Sequence, residues 1–484
     1  MKLNNPELLR SQCLINGEWC DALSGKREAV INPATGAELA SIPLVSEEET
    51  QQAIAAAQRA QNEWKQLTAK QRSALLLAWA DKVLAAQEDL AQLMTAEQGK
   101  SLAEARGEVA YAASFITWFA EEAKRVDGAV LQAPQASQRL VVVKQPIGVC
   151  AAITPWNFPA AMITRKVAPA LAAGCAIIVK PAEQTPLTAL ALAKLVQDAG
   201  IPAGVLQVVT GEAAQVGKVL CDSPVVRKLS FTGSTEVGRI LMAQCAPSIK
   251  KLSLELGGNA PVIVFDDANL DAAVAGIMAS KFRNSGQTCV CANRIYVQDG
   301  IYERLAEKLV AAVEQLKVGD GSQEGTTQGP LIDSDAVAKV QSHIDDALIK
   351  GAQIATGGQP HALGGTFFQP TVVTGVTQKM RFAKEETFGP VAPLFRFHDE
   401  AEAIAMANDT EFGLAAYLFT QNAARQWRVP EALEYGMVGI NTGLISNEVA
   451  PFGGVKQSGL GREGSRYGIE EYLELKYLCI DVSC

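Results

Sequence analysis

The chain has 484 residues, of which 48% are hydrophobic and 20% charged, so it is long enough for two or three folded domains. Its net charge of −9 argues against general binding to nucleic acid or to an anionic membrane. The ten cysteines are scattered, with no CxxC pair, which predicts free thiols in a reducing compartment and no metal site. Without a signal peptide or an apolar run of membrane-spanning length, the chain is expected to be cytoplasmic.

The first 150 residues predict a hairpin, then helices, then an outlying strand. Residues 11–45 alternate apolar and polar side chains around a predicted Asn16-Gly17 turn. Ser46 and Glu49 have the spacing of a capping box, and further helices are predicted over 68–98 and 101–125. A predicted strand at 140–144 does not fit this succession of helices and is expected to form a hairpin arm.

From Gly148 onward, strands and helices alternate, which predicts an α/β fold with parallel sheets. The first series has predicted strands at 148–153, 176–180, 206–210, 228–232, 252–256 and 262–265, and helices at 160–173 and 186–199. The second series has predicted helices at 270–284, 301–316 and 335–350, and strands at 294–298, 370–374 and 392–397. The glycine-rich segment 436–468 is expected to form loops, and 473–480 a final strand able to pair with another subunit.

One cysteine and one glutamate stand out as candidate catalytic residues. Cys289 follows a glycine and a predicted helix, but its thiol needs a base to become nucleophilic. The three histidines, His343, His361 and His398, lie in polar stretches and are expected at the surface. Glu255 lies between two leucines at a strand end, where desolvation would raise its pKa toward that of a general base. The alternative is that Cys289 is a core residue and Glu255 merely ends a strand.

Two other patterns predict contacts with a nucleotide. Residues 231–238 read as a strand, a glycine turn and a helix start, which suits a phosphate, although a purely structural turn fits equally well. Lys180 and Glu183 follow a strand and suit ribose hydroxyls, since one donates and the other accepts; a solvated ion pair is the alternative. Residues 211–218 do not match a P-loop, because the glycine spacing is wrong and valine replaces the serine or threonine.

Over nearly its whole length, the chain resembles the aldehyde dehydrogenase family. The matching motifs are TPWNFP at 154–159, KPAE at 180–183, FTGS at 231–234, LELGG at 254–258, GQTC at 286–289 and ETFGP at 386–390. This resemblance implies a Rossmann-like NAD-binding domain (1–130 and 148–256, with 439–468 returning to it) and an α/β catalytic domain (257–438). It also implies an oligomerisation arm (131–147 and 469–484) and a homo-oligomer, expected to be a tetramer.

By the same resemblance, Cys289 is the nucleophile, Asn157 and the Cys289 backbone N–H hold the oxyanion, and Glu255 activates the hydrolytic water. The implied cofactor contacts are Thr154, Pro155, Trp156, Asn157, Lys180, Glu183, Gly233, Ser234, Leu256, Glu386 and Phe388. A carboxylate at Glu183 would accept from a 2′-hydroxyl and repel a 2′-phosphate, so NAD is the expected cofactor, with NADP use left open.

Within the family, the chain is most similar to succinate-semialdehyde dehydrogenases, through MITRK at 162–166, SKFRN at 280–284 and LISNE at 444–448. That similarity implies that Arg165, Arg283 and Ser446 bind the distal carboxylate of a small ω-carboxy aldehyde. The alternative for both arginines is pairing with surface carboxylates. Cys291 is expected to be a packing thiol, and the sharper hypothesis is a reversible disulfide with Cys289.

Other functions stay open at this point. Glutarate semialdehyde is one methylene longer than succinate semialdehyde, and a methylene gives only ~1–3 kcal/mol of discrimination. A cofactor-independent thiol acyl hydrolase would need only Cys289 and Glu255. A non-catalytic structural homologue would be expected to lack one of them, and both are present.

Overall fold

The computed structural model describes residues 1–483, which contain 20 strands and 14 α-helices. The strands are β1 (Cys13–Ile15), β2 (Glu18–Cys20), β3 (Arg27–Ile31), β4 (Glu38–Pro43), β5 (Ala129–Leu131), β6 (Gln138–Pro146), β7 (Val149–Ile153), β8 (Ile177–Lys180), β9 (Leu206–Val208), β10 (Val226–Thr232), β11 (Lys251–Glu255), β12 (Ala260–Val264), β13 (Ala292–Gln298), β14 (Gln353–Thr356), β15 (Thr371–Val376), β16 (Val391–Phe397), β17 (Ala415–Phe419), β18 (Met437–Ile440), β19 (Gly459–Leu460) and β20 (Leu473–Asp481). The helices are α1 (Glu47–Trp64), α2 (Ala69–Ala85), α3 (Gln87–Gln98), α4 (Leu102–Glu122), α5 (Ala161–Ala173), α6 (Pro186–Asp198), α7 (Ala213–Asp222), α8 (Thr235–Cys245), α9 (Leu270–Lys281), α10 (Tyr302–Val313), α11 (Ser334–Ile349), α12 (Glu400–Asn408), α13 (Arg425–Ala432) and α14 (Ser465–Glu470).

An eight-stranded sheet organises the first half of the chain, in the order β19-β11-β10-β7-β8-β9-β1-β2. Its five central strands run parallel, and the hairpin β1–β2 and the short β19 close its two edges in antiparallel pairing. Strands β7 and β8 are buried along their whole length, as expected for a parallel sheet covered on both faces by helices. The alternation from Gly148 onward therefore predicted the parallel core of this sheet. The predicted strand 262–265, placed in the same series, is β12 and belongs to a separate sheet.

A seven-stranded sheet organises the second half, in the order β14-β15-β16-β13-β12-β17-β18. All its pairs are parallel except β14–β15 at one edge. The chain passes from the first sheet to the second between β11 and β12, so the predicted domain boundary near residue 257 falls in this connection. The division into domains itself stays a prediction.

The carboxyl ends of β7, β10 and β11 lie side by side, because these three strands are parallel neighbours in the first sheet. Ligands in open α/β sheets bind beyond such strand ends. The segments that follow these strands carry Asn157, Ser234 and Leu256, and Glu255 is the last residue of β11. This edge of the first sheet therefore positions the candidate site.

A third, three-stranded antiparallel sheet forms an arm in the order β20-β6-β5. Its strand β20 pairs with β6 of the same chain from Leu473 to Asp481, so the predicted arm and final strand belong together. The outer edge of β20 carries no partner strand within residues 1–483. No helix in this described range has the length and apolar character needed to span a membrane.

Several predicted elements differ from the structure. The predicted helix 68–98 is two helices, α2 and α3, which break at Ala86. The predicted helix 270–284 ends at Lys281, and a tight turn follows. The segment 436–468 is not only loops, since it contains β18, β19 and the start of α14. Its glycines favour loops locally, but pairing with the two large sheets outweighs that preference.

Candidate active site

A cavity of about 280 Å³ lies at the carboxyl edge of the first sheet and faces the second half of the chain. Among the predicted site residues, those that line it are Pro155, Trp156, Asn157, Gly233, Ser234, Leu256, Cys289, Glu386 and Phe388. The motifs that carry them are far apart in sequence, and the fold brings them to one place.

Cys289 stands on a tightly folded loop that follows α9. Asn284 and Ser285 both have positive φ values, 51° and 54°, and Gly286 continues at 76°. A Cβ at Gly286 would come 2.1 Å from the Gly389 carbonyl oxygen, so the close approach requires glycine there. The Cys289 side chain is partly exposed at the cavity, and burial raises the pKa of its thiol to about 12, while Arg165 opposes that rise. The thiol is therefore protonated at neutral pH and needs a base.

Glu255 supplies a carboxyl group with the properties of such a base. Neither of its carboxylate oxygens has a hydrogen-bond partner within residues 1–483, although both are buried. Burial first, and then the neighbouring Glu463, raise the pKa of Glu255 well above its ordinary value. This agrees with the predicted desolvation at the end of β11, and the direction is the one general-base catalysis at neutral pH requires.

Asn157 is held against the nucleophile loop by several hydrogen bonds. Its Nδ2 donates to the carbonyl of Gln287 at 3.0 Å. The backbone carbonyl oxygen of Asn157 accepts from Lys100 Nζ at 2.8 Å and from Asn284 Nδ2 at 3.0 Å. An amide nitrogen carries two hydrogens, so one remains available for a developing oxyanion beside Cys289.

One part of the cavity wall is formed by an aromatic pair and a glutamate. Trp156 and Phe388 meet edge to face, with ring centroids 5.6 Å apart and planes at 89°. Phe388 has φ +55°, a strained value for an aromatic residue. Burial raises the pKa of Glu386 to about 7, and its Oε1 accepts from the Gly258 backbone N–H at 3.1 Å.

The remaining predicted cofactor residues lie around this wall. Gly233 forms the turn after β10, where a Cβ would come 2.4 Å from the Phe231 ring. Ser234 caps α8 by accepting from the Val237 N–H at 3.3 Å. Thr154 follows β7, and its buried hydroxyl has no partner within residues 1–483. A glycine turn at a helix N-terminus and an unpaired hydroxyl fit a bound dinucleotide.

Lys180 and Glu183 form an ion pair at the end of β8, with the lysine buried and the glutamate side chain 26% exposed. Glu183 lines a second cavity of about 610 Å³, which shares Ile332 and Asp333 with the first. Glu28 lines the same second cavity. The two cavities together therefore form one elongated cleft, which suits an extended dinucleotide.

Comparison with known proteins decides the family. Residues 19–478 match the model of the "Aldehyde dehydrogenase family". The chain belongs to this family. It is 65% identical to "Succinate-semialdehyde dehydrogenase [NADP(+)] GabD" of Escherichia coli over 99% of this chain and 100% of that protein. It is 64% identical to "Glutarate-semialdehyde dehydrogenase" of Pseudomonas putida, covering 100% of both. The crystal structure of succinate-semialdehyde dehydrogenase from Burkholderia pseudomallei superposes with a TM-score of 0.99 at 63% identity, covering 100% of both chains.

These matches confirm the predicted family resemblance and the aldehyde dehydrogenase-like α/β fold. Members of this family oxidise aldehydes with NAD or NADP, so the chain is an aldehyde dehydrogenase. The roles of individual residues, including Cys289, Glu255 and Asn157, remain predictions that the geometry supports.

The predicted substrate arginines have different surroundings. Arg165, on α5, is buried and pairs with Glu463 at 2.9 Å, with its guanidinium 3.9 Å from the Phe452 ring centroid. It thus has a carboxylate partner, but a buried one instead of the surface carboxylate considered from the sequence. Arg283 is partly exposed, lies 5.1 Å from the Phe158 ring centroid and forms no ion pair within residues 1–483. Both arginines act electrostatically on the Cys289 thiol, lowering its pKa against burial.

Ser446 and Cys291 are placed apart from the cavity lining. Ser446 is partly exposed on the loop after β18. Cys291 is fully buried, and its Sγ donates to the Lys281 carbonyl at 3.2 Å. Both Cys289 and Cys291 are free thiols. This environment suits the packing role, and the disulfide stays a prediction.

Four buried charged residues near the site were missing from the sequence prediction. Lys100 pairs with Glu108 and donates to the Asn157 carbonyl. Lys166 pairs with Glu463, the same carboxylate that pairs with Arg165. Each lysine lies 2% exposed or less, so neither is a surface residue. A buried lysine is tolerated only when a carboxylate or another acceptor pairs with it. The sequence does not show which residue that partner is.

The prediction that all three histidines lie at the surface is wrong for His343. This side chain is fully buried, with Nδ1 3.2 Å from the Thr387 hydroxyl and Nε2 3.3 Å from a Glu385 oxygen. Burial lowers the pKa of His343 to about 4, so it is neutral at pH 7. It contacts the segment that carries Glu386 and Phe388, and does not line the cavity itself.

Proposed function

We propose that the chain oxidises succinate semialdehyde to succinate with a nicotinamide dinucleotide. The observation that carries this proposal is the grouping of three side chains: the Cys289 thiol, which lines the cavity, and the Glu255 carboxyl and the Arg283 guanidinium, whose charges act on that thiol. Within the described chain the Glu255 carboxyl has no hydrogen-bond partner and Arg283 has no carboxylate partner. The first two suffice for acyl transfer, and the third suits a substrate with a distal anion. The names of the two relatives are compatible with this substrate class.

The chemistry begins at Cys289. Glu255 removes the thiol proton, and the sulfur forms a bond to the aldehyde carbon. Negative charge then develops on the aldehyde oxygen, where the free Nδ2 hydrogen of Asn157 and the Cys289 backbone N–H stabilise it. NAD or NADP, when bound, supplies the acceptor for the hydride that leaves this carbon.

The acyl group that remains on Cys289 is a thioester. Glu255 first releases the proton of the thiol to solvent and is again a carboxylate. It then takes a proton from a water molecule, which attacks the thioester carbonyl and displaces the sulfur. The carboxylic acid is released and the thiol regains its proton. Splitting the oxidation from the hydrolysis in this way replaces one difficult step by two easier ones.

For the cofactor we infer a preference for NAD over NADP. Trp156, Ser234, Glu386 and Phe388 would hold the dinucleotide in the first cavity, and Lys180 and Glu183 would meet the ribose hydroxyls. The Glu183 carboxylate would repel a 2′-phosphate. Glu28 lines the same cavity and would add to the repulsion, while Lys180 partly offsets it.

Glutarate semialdehyde is the second candidate substrate, and the name of the Pseudomonas putida relative favours it. The extra methylene would alter binding by only ~1–3 kcal/mol. A thiol acyl hydrolase without cofactor is the alternative from another class, since Cys289 and Glu255 alone could hydrolyse an activated ester. The elongated cleft beside Cys289 argues for the dehydrogenase.

We also propose a homo-oligomer, expected to be a tetramer, in the cytoplasm. The arm exposes apolar side chains, among them Leu475 at 70% and Val130 at 79%, on the sheet that contains the unpaired edge of β20. An exposed apolar strand edge is a natural surface for pairing with another copy.

A substrate and cofactor panel tests the proposal. Succinate semialdehyde, glutarate semialdehyde and butanal are each supplied with NAD and with NADP, and formation of reduced nicotinamide is followed by absorbance. We expect both semialdehydes to be used more efficiently than butanal, and NAD more efficiently than NADP. Equal efficiency with butanal would overturn the substrate class. No reduction of either cofactor, with retained ester hydrolysis, would favour the acyl hydrolase.

A further inference from the structure

One face of α4 is directed at the loop that carries Cys289. One side chain on this face has a hydroxyl group with no hydrogen-bond partner within residues 1–483. Glu104, Glu108, Tyr111 and Phe115 recur at intervals of four, three and four residues, so they share a face of the helix. Glu104 Oε1 accepts from the Asn284 backbone N–H at 2.7 Å, next to the nucleophile loop. Glu108 Oε1 accepts from the Ala160 backbone N–H at 2.9 Å, at the start of α5.

The far end of this face reaches the buried arginine. Phe115 lies 5.5 Å below the Arg165 guanidinium. The Tyr111 ring packs edge to face on Phe115, with centroids 4.8 Å apart. Tyr111 therefore lies between the part of α4 that contacts the nucleophile loop and the part that contacts Arg165.

The Tyr111 hydroxyl is buried and has no hydrogen-bond partner within residues 1–483. Burial raises the pKa of this phenol, while Arg165 and Arg283 oppose the rise and the Cys289 sulfur adds to it. The hydroxyl thus lies within electrostatic range of both guanidinium groups and of the nucleophile. A buried polar group without a partner costs ~1–3 kcal/mol, so such a group close to a reactive centre calls for an explanation.

We propose that Tyr111 is a substrate-binding residue, whose hydroxyl donates to the distal anionic group of the aldehyde beside the two arginines. This inference rests on the proposed function, since it needs an ω-anionic substrate. Arg165 already has a carboxylate partner in Glu463, which it shares with Lys166, so the Tyr111 hydroxyl and Arg283 add donors for the bound anion.

The test is Tyr111→Phe, which removes the hydroxyl and keeps the ring that packs on Phe115. We expect KM for succinate semialdehyde to rise about 10- to 100-fold, the loss expected for a hydrogen bond to a charged group, with kcat changed by less than about three-fold. Both parameters for butanal should stay at the wild-type values. Tyr467→Phe, at an exposed tyrosine on α14, is the matched control and should change the kinetic parameters for neither substrate.

Two results would overturn the inference. One is an unchanged KM for succinate semialdehyde; the other is an equal rise for butanal, which would indicate a packing role. Stabilisation by succinate in thermal unfolding provides a second readout, and Tyr111→Phe should weaken it while Tyr467→Phe should not. If the wild-type enzyme itself does not prefer succinate semialdehyde to butanal, the proposed function fails. If it does and Tyr111→Phe keeps that preference, only the role of Tyr111 fails.

Discussion

The two ends of the cleft are built in opposite ways. At the Cys289 end, several buried polar atoms have no hydrogen-bond partner in the described part of the chain: both Glu255 carboxylate oxygens, Asn157 Oδ1 and the Tyr111 hydroxyl. At the Glu183 end, the two charges pair with each other, and the glutamate is partly exposed to solvent. At the first end, the unpaired groups need water, substrate or an oxyanion as their partners. At the second end, the two charges are paired before anything binds.

The two ends of the cleft therefore differ in how much they lower the stability of the folded protein. Unpaired buried groups cost free energy in the folded protein, and such costs are tolerated where catalysis uses them. Paired groups at a half-exposed site cost little and act mainly through selection between ligands. Substitutions at the Cys289 end should therefore change rates strongly, while substitutions at the Glu183 end should change the choice of cofactor.

The largest effect is expected for Glu255→Gln. Turnover should fall about 10²- to 10⁴-fold, because an amide replaces the carboxylate that is proposed as the base for the thiol and the water. Since burial raises the pKa of Glu255, the inactive protonated form persists above the ordinary carboxyl range, and wild-type turnover should rise with pH there. A steady-state pH profile of both proteins measures this.

Glu307→Gln, at an exposed glutamate on α10, is the control for loss of a carboxylate elsewhere. It should keep both the rate and the pH profile of the wild type. If Glu255→Gln retains turnover within about ten-fold of wild type, another group is the base and the unpaired carboxyl has no catalytic use.

Asn157→Ala should have the next largest effect. The side chain offers one hydrogen to the oxyanion, and removal of one such donor typically lowers kcat by about 10²- to 10³-fold. Because Nδ2 also donates to the Gln287 carbonyl, the variant can loosen the nucleophile loop. Thermal unfolding separates the two effects: a kcat loss with little change in Tm supports the oxyanion role, and a KM rise without a kcat loss contradicts it.

Sequence patterns predicted the parallel sheets, and the motifs named from the sequence supply nine of the residues that line the first cavity, because both depend on local signals. Glu255 was recognisable between leucines at a strand end, and Cys289 from the loop before it. The pairing of Lys166 with Glu463 was not predictable, since 297 residues separate the two and no pattern links them. Such long-range charge pairs are decided by how α5 and the C-terminal segment pack together.

The burial of His343 could have been predicted from the helical spacing of its neighbours, but the prediction relied on the polar residues next to it in sequence. Val340, His343, Ile344 and Ala347 are all buried and follow the spacing of one helix face. The neighbouring polar residues suggested the surface, but the helical period placed the imidazole on the apolar side. A histidine on a predicted apolar helix face is therefore better interpreted by its position than by its sequence neighbours.

The smallest effect tests the Glu183 end. Glu183→Gln should raise kcat/KM for NADP about 10-fold, since a carboxylate near a 2′-phosphate costs on the order of 1 kcal/mol or more, and should lower that for NAD modestly through loss of an acceptor. Glu28→Gln should shift the ratio in the same direction by less, because Glu28 is an exposed residue of β3 and solvent screens it. Initial rates with both cofactors at low and high salt measure the ratio. A repulsion of this kind weakens as salt rises, so a ratio that neither variant shifts, or whose shift ignores salt, would show that shape and not charge selects the cofactor.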